Sequence, residues 1–561
     1  MNAKSLFAAL GGLSLAQANA RMEELCGIVN FFDSENYTLP EGEEQAYRVA
    51  YGDWQTPLEL AIRVCEKLQE QGVRPEVVVE PTCGTGSFVL AAAIVFSDSV
   101  KSIYGIEIFK PYLQQLKLRI LEYALEHPQT IRCRIELYHR NIFDFRLEDL
   151  DIAEGKKVLL LGNPPWVTNS TLGKIKGDNL PRKTNIKNVK GIEAITGKGN
   201  FDVAESILYR LLDSFHRREG GCIALLIKSS VCRNVVYTQR SEKYAIRRMT
   251  QYPIDAQREF GVAVAASLFV VHLGGGAARQ CDTIDFYAPQ AAPTTYGWVG
   301  LRFASDTQAY TATSHLDGGC QLDWWSGIKH DCAKVLELER GNRGGMYNQL
   351  GEEVRIEPDL LYPLLKSSDL KNPVIEVVRK YLIVTQKSTS ENTDNIARRY
   401  PLTYDYLTSH SKYLDHRASI IYKGRPRFCI FGVGSYSFKT YKVAISALYK
   451  TTHFALVPPI DGRSVMLDDT CYLMGFDTAE DAHCFLKILN SPPVQQFLRS
   501  IIFQDAKRCI CKDLLMRIDL LAAIETLEHT YILTEQEALR ARQYIHQHSN
   551  QRQEILQFSI F

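Results

Sequence analysis

From residue 55 to residue 275 the sequence alternates short apolar runs with longer segments of helical periodicity, a rhythm that few folds accept. "EVVVEP" (76–81), "SIYGIEIF" (102–109), the start of "RIELYHRNIFDF" (134–145), "KKVLLLGNPP" (157–165) and "CIALLIKSS" (222–230) read as strands. Between them, "GSFVLAAAIVF" (86–96), "YLQQLKLRILEYALEH" (112–127) and "VAESILYRLLDSF" (203–215) space apolar residues three and four apart, as a helix requires. Repeated βα units of this length predict an α/β fold with a mostly parallel, doubly wound sheet. Ligands of such sheets gather outside the carboxyl ends of the strands, so the chemistry should lie in the loops that follow them.

The rhythm stops near residue 280. "GGGAAR" (274–279) and "YAPQAAPTTYGWVG" (287–300) read as a loop or linker, and the sequence beyond them is aromatic-rich with shorter strands and turns. A chain of 561 residues has room for two to four domains at about 150 residues each. The expected division is an N-terminal helical extension (1–50), an α/β domain (51–280), a second, α+β domain (281–520) and a helical tail (521–561). "MNAKSLFAALGGLSLAQANARM" carries an Ala-Asn-Ala that mimics a signal-peptidase site, but its leucines are diluted by polar residues and read better as an amphipathic helix. Nothing elsewhere reaches the roughly 18 unbroken apolar residues of a membrane span. Fourteen cysteines without a CxxC pair or a zinc spacing fit a reducing compartment and no metal site. The expectation is a soluble, cytoplasmic protein of a prokaryote, phage or plasmid, with no membrane partner.

Two loops carry the chemistry. In "VVVEPTCGTGSF" a strand ending in Glu80 runs into Gly84 and Gly86 and then a helix, a turn that lets backbone N–H groups approach a ligand where a Cβ would obstruct. The carboxylate ending the next strand, Glu107, suits the two hydroxyls of a ribose. The fourth strand ends in Asn163-Pro164-Pro165-Trp166. Two prolines fix φ and remove N–H donors, leaving the carbonyls of Asn163 and Pro164 free beside the Asn163 amide oxygen. Such acceptors suit an amino group, and Trp166 offers a flat face for an extruded base. Read alone, the tetrapeptide could equally be a Pro-Pro turn capping a core strand.

"EPTCGTGSF", "GIEIF", "GNPPW" and the upstream "DWQTPLELA", in this order, resemble the S-adenosylmethionine-dependent N6-adenine DNA methyltransferases of the gamma class. The resemblance implies a Rossmann-like methyltransferase domain followed by a target-recognition domain. It implies that Thr56 contacts the methionine end of the cofactor S-adenosylmethionine, that Glu80, Cys83, Gly84 and Gly86 line its turn, and that Glu107 takes the ribose. Asn163, Pro164, Pro165 and Trp166 would hold a flipped-out adenine, with Phe260 as the second stacking wall. The family usually has an aspartate where this chain has Asn141, so the contact to the cofactor's adenine amine would pass through an amide oxygen; Asp144 is a nearby substitute.

The expected partner is double-stranded DNA. The net charge of +1 announces no global field, so phosphate contacts must come from local patches. Lys174, Lys176, Arg182 and Lys183 follow the tetrapeptide in a basic loop. Lys423, Arg425, Arg427, Lys439 and Lys442 alternate with aromatics in "IYKGRPRFCIFGVGSYSFKTYKVAISALYK" (421–450), and Lys507 and Arg508 form a third group. Fewer than about 55 residues precede the first motif, which argues against a fused nuclease; a separate restriction endonuclease or defence-system protein, or no such partner, stays open. Two other readings stay open: methylation of RNA or a protein glutamine by an NPPY-type enzyme, and a DNA-binding specificity protein with a vestigial methyltransferase domain.

Overall fold

The computed structural model describes residues 12–33, 54–167, 202–342, 344–505 and 508–558. The chain divides into two units, Met1–Phe303 and Ala304–Phe561.

The first unit is built on one large sheet. Its strands are β1 (Val77–Glu80), β2 (Ser102–Glu107), β3 (Arg134–His139), β4 (Val158–Gly162), β5 (Cys222–Lys228), β6 (Ile246–Ile254), β7 (Ala266–Leu273), β8 (Gln280–Thr283), β9 (Thr294–Val299) and β10 (Arg302–Ala304). They lie in the order β10-β9-β8-β6-β7-β5-β4-β1-β2-β3. Strands β1 to β5 are mutually parallel, as the βα rhythm predicts. Strand β7 runs antiparallel between β5 and β6, and β8 and β9 form an antiparallel pair, so this half of the sheet is mixed.

The helices are α1 (Leu15–Cys26), α2 (Leu58–Glu70), α3 (Ser87–Val95), α4 (Lys110–Glu126), α5 (Val203–Phe215), α6 (Ser229–Glu242) and α7 (Ala256–Phe260). Successive strand residues point to opposite faces, and both faces of the central strands are covered. Val78, Leu159, Leu161, Ala224 and Leu226 share one core with the buried residues of α2, α3 and α4. Val77, Val79, Leu160, Ile223 and Leu225 are equally buried but lie outside that core, as do the buried apolar residues of α5 and α6. That is the three-layer, doubly wound arrangement, and it explains why the strands read as continuous apolar runs instead of alternating ones.

One expectation changes. The segment expected as a linker carries β8 and β9, and the first unit continues to Phe303. Gly274, Gly275 and Gly276 all take positive φ and turn the chain from β7 toward β8. Gly297 lies where a Cβ would come within 2.4 Å of the Arg279 carbonyl oxygen. The first three serve a left-handed turn and Gly297 serves close approach between β8 and β9. The Ala18-Asn19-Ala20 stretch lies inside α1, in line with the helical reading of this segment, and Asn19 spends both amide atoms on the Phe32 backbone, at 3.1 and 2.8 Å.

The second unit is α+β. A six-stranded sheet includes Glu337–Arg340, Leu361–Leu365 and Lys380–Ile383, and a four-stranded sheet includes Tyr441–Ser446 between Cys471–Phe476 and Ala455–Val457. The helical tail packs within this unit: the Tyr544 ring meets Phe476 and Phe485, and its hydroxyl donates to the Gly475 carbonyl at 3.2 Å. No described helix is long and apolar enough to cross a membrane.

Candidate active site

Strand order reverses at β1: the chain proceeds outward through β2 and β3, then returns to add β4 on the other side. The crevice left at the carboxyl ends of these strands is where doubly wound sheets bind ligands. A cleft occupies it, lined by Trp54–Thr56, Glu80–Gly84, Glu107, Arg140, Ile142, Asn163 and Pro165, among others.

The glycine turn forms one wall. Gly84 and Gly86 have φ of 50° and 82°, and the Gly86 N–H donates to the Cys83 carbonyl at 2.8 Å. A Cβ on Gly86 would meet Leu116 Cδ1 of α4 at 1.9 Å, so this glycine lets the turn seat on the helix behind it. A Cβ on Gly84 would meet the Gln55 side chain at 2.7 Å. Gln55 Oε1 accepts from the Thr85 N–H and hydroxyl at 3.0 and 2.9 Å, while Arg119 of α4 donates to the Thr85 carbonyl at 2.6 Å. Sequence reading missed Gln55, Thr85 and Arg119 as supports of the turn. Gln55 sat inside a quoted motif; Arg119, one cation in a polar helix, gave no signal.

Glu107 accepts from the Gly84 N–H at 2.9 Å and from the Phe109 N–H at 2.8 Å, which ties the end of β2 to the turn. Glu80 is 3% exposed, and burial, reinforced by the nearby Glu107 charge, pushes its carboxyl well above the ordinary range. Burial likewise pushes the Cys83 thiol up, so it is no nucleophile. Three buried polar atoms of the cleft, Glu80 Oε2, Thr82 Oγ1 and Asn163 Oδ1, have no hydrogen-bond partner. An orphaned buried polar group costs about 1–3 kcal/mol, and such costs gathered in one cleft mark a place built for a polar ligand.

Asn163 is oriented by its surroundings. Its Nδ2 donates to the Trp54 carbonyl at 2.8 Å and to Thr56 Oγ1 at 3.2 Å, which turns Oδ1, the unpartnered atom, the other way. Pro165 lines the cleft beside it, and Pro164 is buried. Trp166 is 6% exposed and its indole N–H donates to the Leu226 carbonyl of β5 at 3.0 Å. Phe260, the last residue of α7, meets Trp166 edge to face at 5.1 Å. The two rings touch each other and leave no slot for a base between them. Asn141 lies in the turn after β3, where its Oδ1 accepts from the Phe143 N–H at 3.0 Å. The cleft is walled there by Arg140 and Ile142. The structure therefore gathers Thr56, Glu80, Cys83, Gly84, Glu107, Asn163 and Pro165 around one cleft; Gly86, Pro164, Trp166, Phe260 and Asn141 stand behind or beside it.

Of the cations expected to meet DNA, Lys423 and Arg425 are exposed. Arg427 is exposed and pairs with Asp415 at 2.8 Å, Lys439 pairs with Asp477 at 2.5 Å, and Arg508 lies 3.5 Å from Asp469. Lys442 must be removed from that set. It is 1% exposed in the middle strand of the four-stranded sheet, its Nζ donates to the Lys439 carbonyl at 2.7 Å, and burial pulls its pKa down to about 7. The strand Tyr441–Ser446 is buried on both faces, so a cation there cannot reach a phosphate. Lys174, Lys176, Arg182, Lys183 and Lys507 lie outside the described residues.

No protein-family model matches the sequence. The chain is 40% identical over 478 residues to the type II methyltransferase M.NspV of Nostoc sp., which covers 84% of this chain and 97% of that protein. Its fold is similar to that of the type IIL restriction-modification enzyme MmeI in complex with DNA, with a TM-score of 0.52 and 11% identity over 98% of this chain and 79% of MmeI.

Proposed function

Because the chain belongs to the type II methyltransferases, we propose that it transfers the methyl group of S-adenosylmethionine to N6 of an adenine turned out of double-stranded DNA. The observation that carries this reading is the unpartnered Asn163 Oδ1, fixed in direction because Trp54 and Thr56 hold the amide nitrogen. An exocyclic adenine amine is a poor nucleophile, since its lone pair is delocalised into the ring. An oxygen that accepts one of its hydrogens, helped by the Pro164 carbonyl accepting the other, draws the nitrogen toward tetrahedral geometry and frees the lone pair.

The cleft fits the cofactor. The Thr56 hydroxyl suits a carboxylate, and the orphaned Glu80 oxygen suits an ammonium. Glu107 keeps acceptor capacity for ribose hydroxyls beside its two backbone bonds. Bound there, the cofactor would supply a methyl group on an electrophilic sulfonium. Exposed Lys423, Arg425, Arg427 and Arg508 would contact DNA phosphates.

The deciding assay offers tritiated S-adenosylmethionine to duplex DNA, RNA and protein, followed by nucleoside analysis of the product. N6-methyladenine in the DNA arm is the expected result. N4-methylcytosine, or label confined to RNA or protein, would overturn the reading.

A further inference from the structure

The first unit holds a second cavity, of about 330 Å3, at the amino-terminal end of the sheet, opposite the candidate active site. Gln71 caps α2 and Arg74 follows it, Lys157 precedes β4, Gly220 precedes β5, Arg247 lies on β6 and His272 near the end of β7. All six line the cavity, and no carboxylate joins them. Three acids adjoin the lining residues in sequence, Glu70, Glu76 and Glu219; none of them lines the cavity, and Glu76 is engaged by Lys156 Nζ at 2.7 Å and by the Lys157 N–H at 3.3 Å. Among the described residues no ion pair neutralises Arg74, the Lys157 amine or Arg247. Arg74 is held in place by the carbonyls of Gln69 and Val73, at 2.5 and 3.0 Å, beside the hollow.

The crowding of positive charge is visible at His272. Burial, then Arg248 and Arg247, pull its pKa down to about 4. In the ladder His272 faces Arg248 of β6 and Cys222 of β5, a thiol that burial keeps protonated, so nothing there offsets the arginines. One acceptor completes the site. Gln71 gives its Nε2 to the Tyr252 hydroxyl and leaves its buried Oε1 without a partner. Three cations call for an anion, and an orphaned acceptor calls for a proton carried by that anion. A carboxylate or a sulfate has no proton to give at neutral pH; hydrogenphosphate always keeps one there, and a terminal phosphate group on an ester, with a second pKa near 6, keeps one part of the time.

We infer that this cavity is a phosphate-binding site, taking free hydrogenphosphate or the terminal phosphate of a nucleotide. Arg74, Lys157 and Arg247 supply the charge, and Gln71 Oε1 accepts the P–OH proton. The inference does not depend on the methyl-transfer reading, because both its residues and its readout lie apart from the cleft.

The test titrates the full-length protein separately with inorganic phosphate and with ATP by calorimetry. In parallel, the His272 ring is followed by NMR of histidine-labelled protein, its signal assigned with His272→Gln. Binding of either ligand at millimolar concentration or below, with a rise in the His272 pKa, is expected. Saturation by phosphate identifies the free ion; binding of ATP alone identifies a nucleotide when the His272 pKa rises with it, whereas ATP binding that leaves the His272 pKa unchanged lies elsewhere and counts against the site. Lys157→Glu with Arg247→Glu should weaken binding by about tenfold or more, the loss expected for charge-assisted bonds; Lys157→Gln with Arg247→Gln should give a smaller loss in the same direction and guards against misfolding. Absence of binding in both arms, or unchanged affinity in a double variant whose melting is normal, would overturn the site.

Discussion

At the scale of single residues the strongest consequence concerns Asn163. Replacing it with alanine removes the acceptor and, on the proposed reading that the group acts on the reacting amine rather than on the cofactor, should abolish methyl transfer while leaving cofactor affinity within about tenfold. Near-normal turnover would contradict that role. The two glycines of the turn should separate. Gly86→Ala forces a Cβ into Leu116 at a φ of 82° and should cost stability, roughly 1–3 kcal/mol by chemical denaturation. Gly84→Ala, at a φ of 50°, strains the backbone but displaces the end of the Gln55 side chain rather than a packed one, and should weaken cofactor affinity with a smaller loss of stability than Gly86→Ala. Lys442 gives a pH signature. Its folded pKa of about 7 lies below the ordinary 10.5, so between those values the unfolded chain carries a proton that the fold does not. Stability should rise as pH climbs through that window, the penalty being full below pH 7. Lys442→Met should flatten the slope and stabilise neutral solutions by about 1–3 kcal/mol, as replacing buried charge by a well-packed apolar chain often does.

At the scale of elements, β4, β5 and α7 meet at Trp166. The ring is packed against Phe260 and tied to β5 by its N–H, so its contributions to packing and to base stacking must be measured apart. Trp166→Phe keeps the ring but loses the bond to the Leu226 carbonyl, and should cost about 1 kcal/mol of stability with mild kinetic effect. Trp166→Ala should cost about 3 kcal/mol or more of stability. If the ring also stacks on an extruded adenine, Trp166→Ala should lose more kcat/KM on matched duplexes than on duplexes with the target adenine opposite a gap, where less unstacking must be recovered. An equal penalty on both would leave Trp166 a packing residue alone.

At the scale of the whole molecule, a near-neutral chain that binds DNA must do so through segregated cations, so Lys423→Glu with Arg425→Glu should weaken duplex binding and flatten its salt dependence while cofactor affinity is unchanged. Unchanged salt dependence would remove that segment from the interface. The sequence by itself determined the βα half of the first sheet, because strands buried on both faces must be continuously apolar and their helices must carry a stripe. It also singled out the two loops that the structure gathers around one cleft, because glycine after a strand and Asn-Pro-Pro at a strand end are local statements about φ and missing N–H donors. Tertiary structure decided the rest, for reasons of distance. Gly297, which reads as part of a linker, is a close-approach point between β8 and β9, which appears only when the partner backbone is in place. Lys442 reads as surface until its strand is flanked on both sides. The Asn163 amide acquires a direction only when Trp54 and Thr56, more than a hundred residues away in the chain, arrive to hold its nitrogen; side-chain orientation is set by neighbours in space, and a sequence lists neighbours only along the chain.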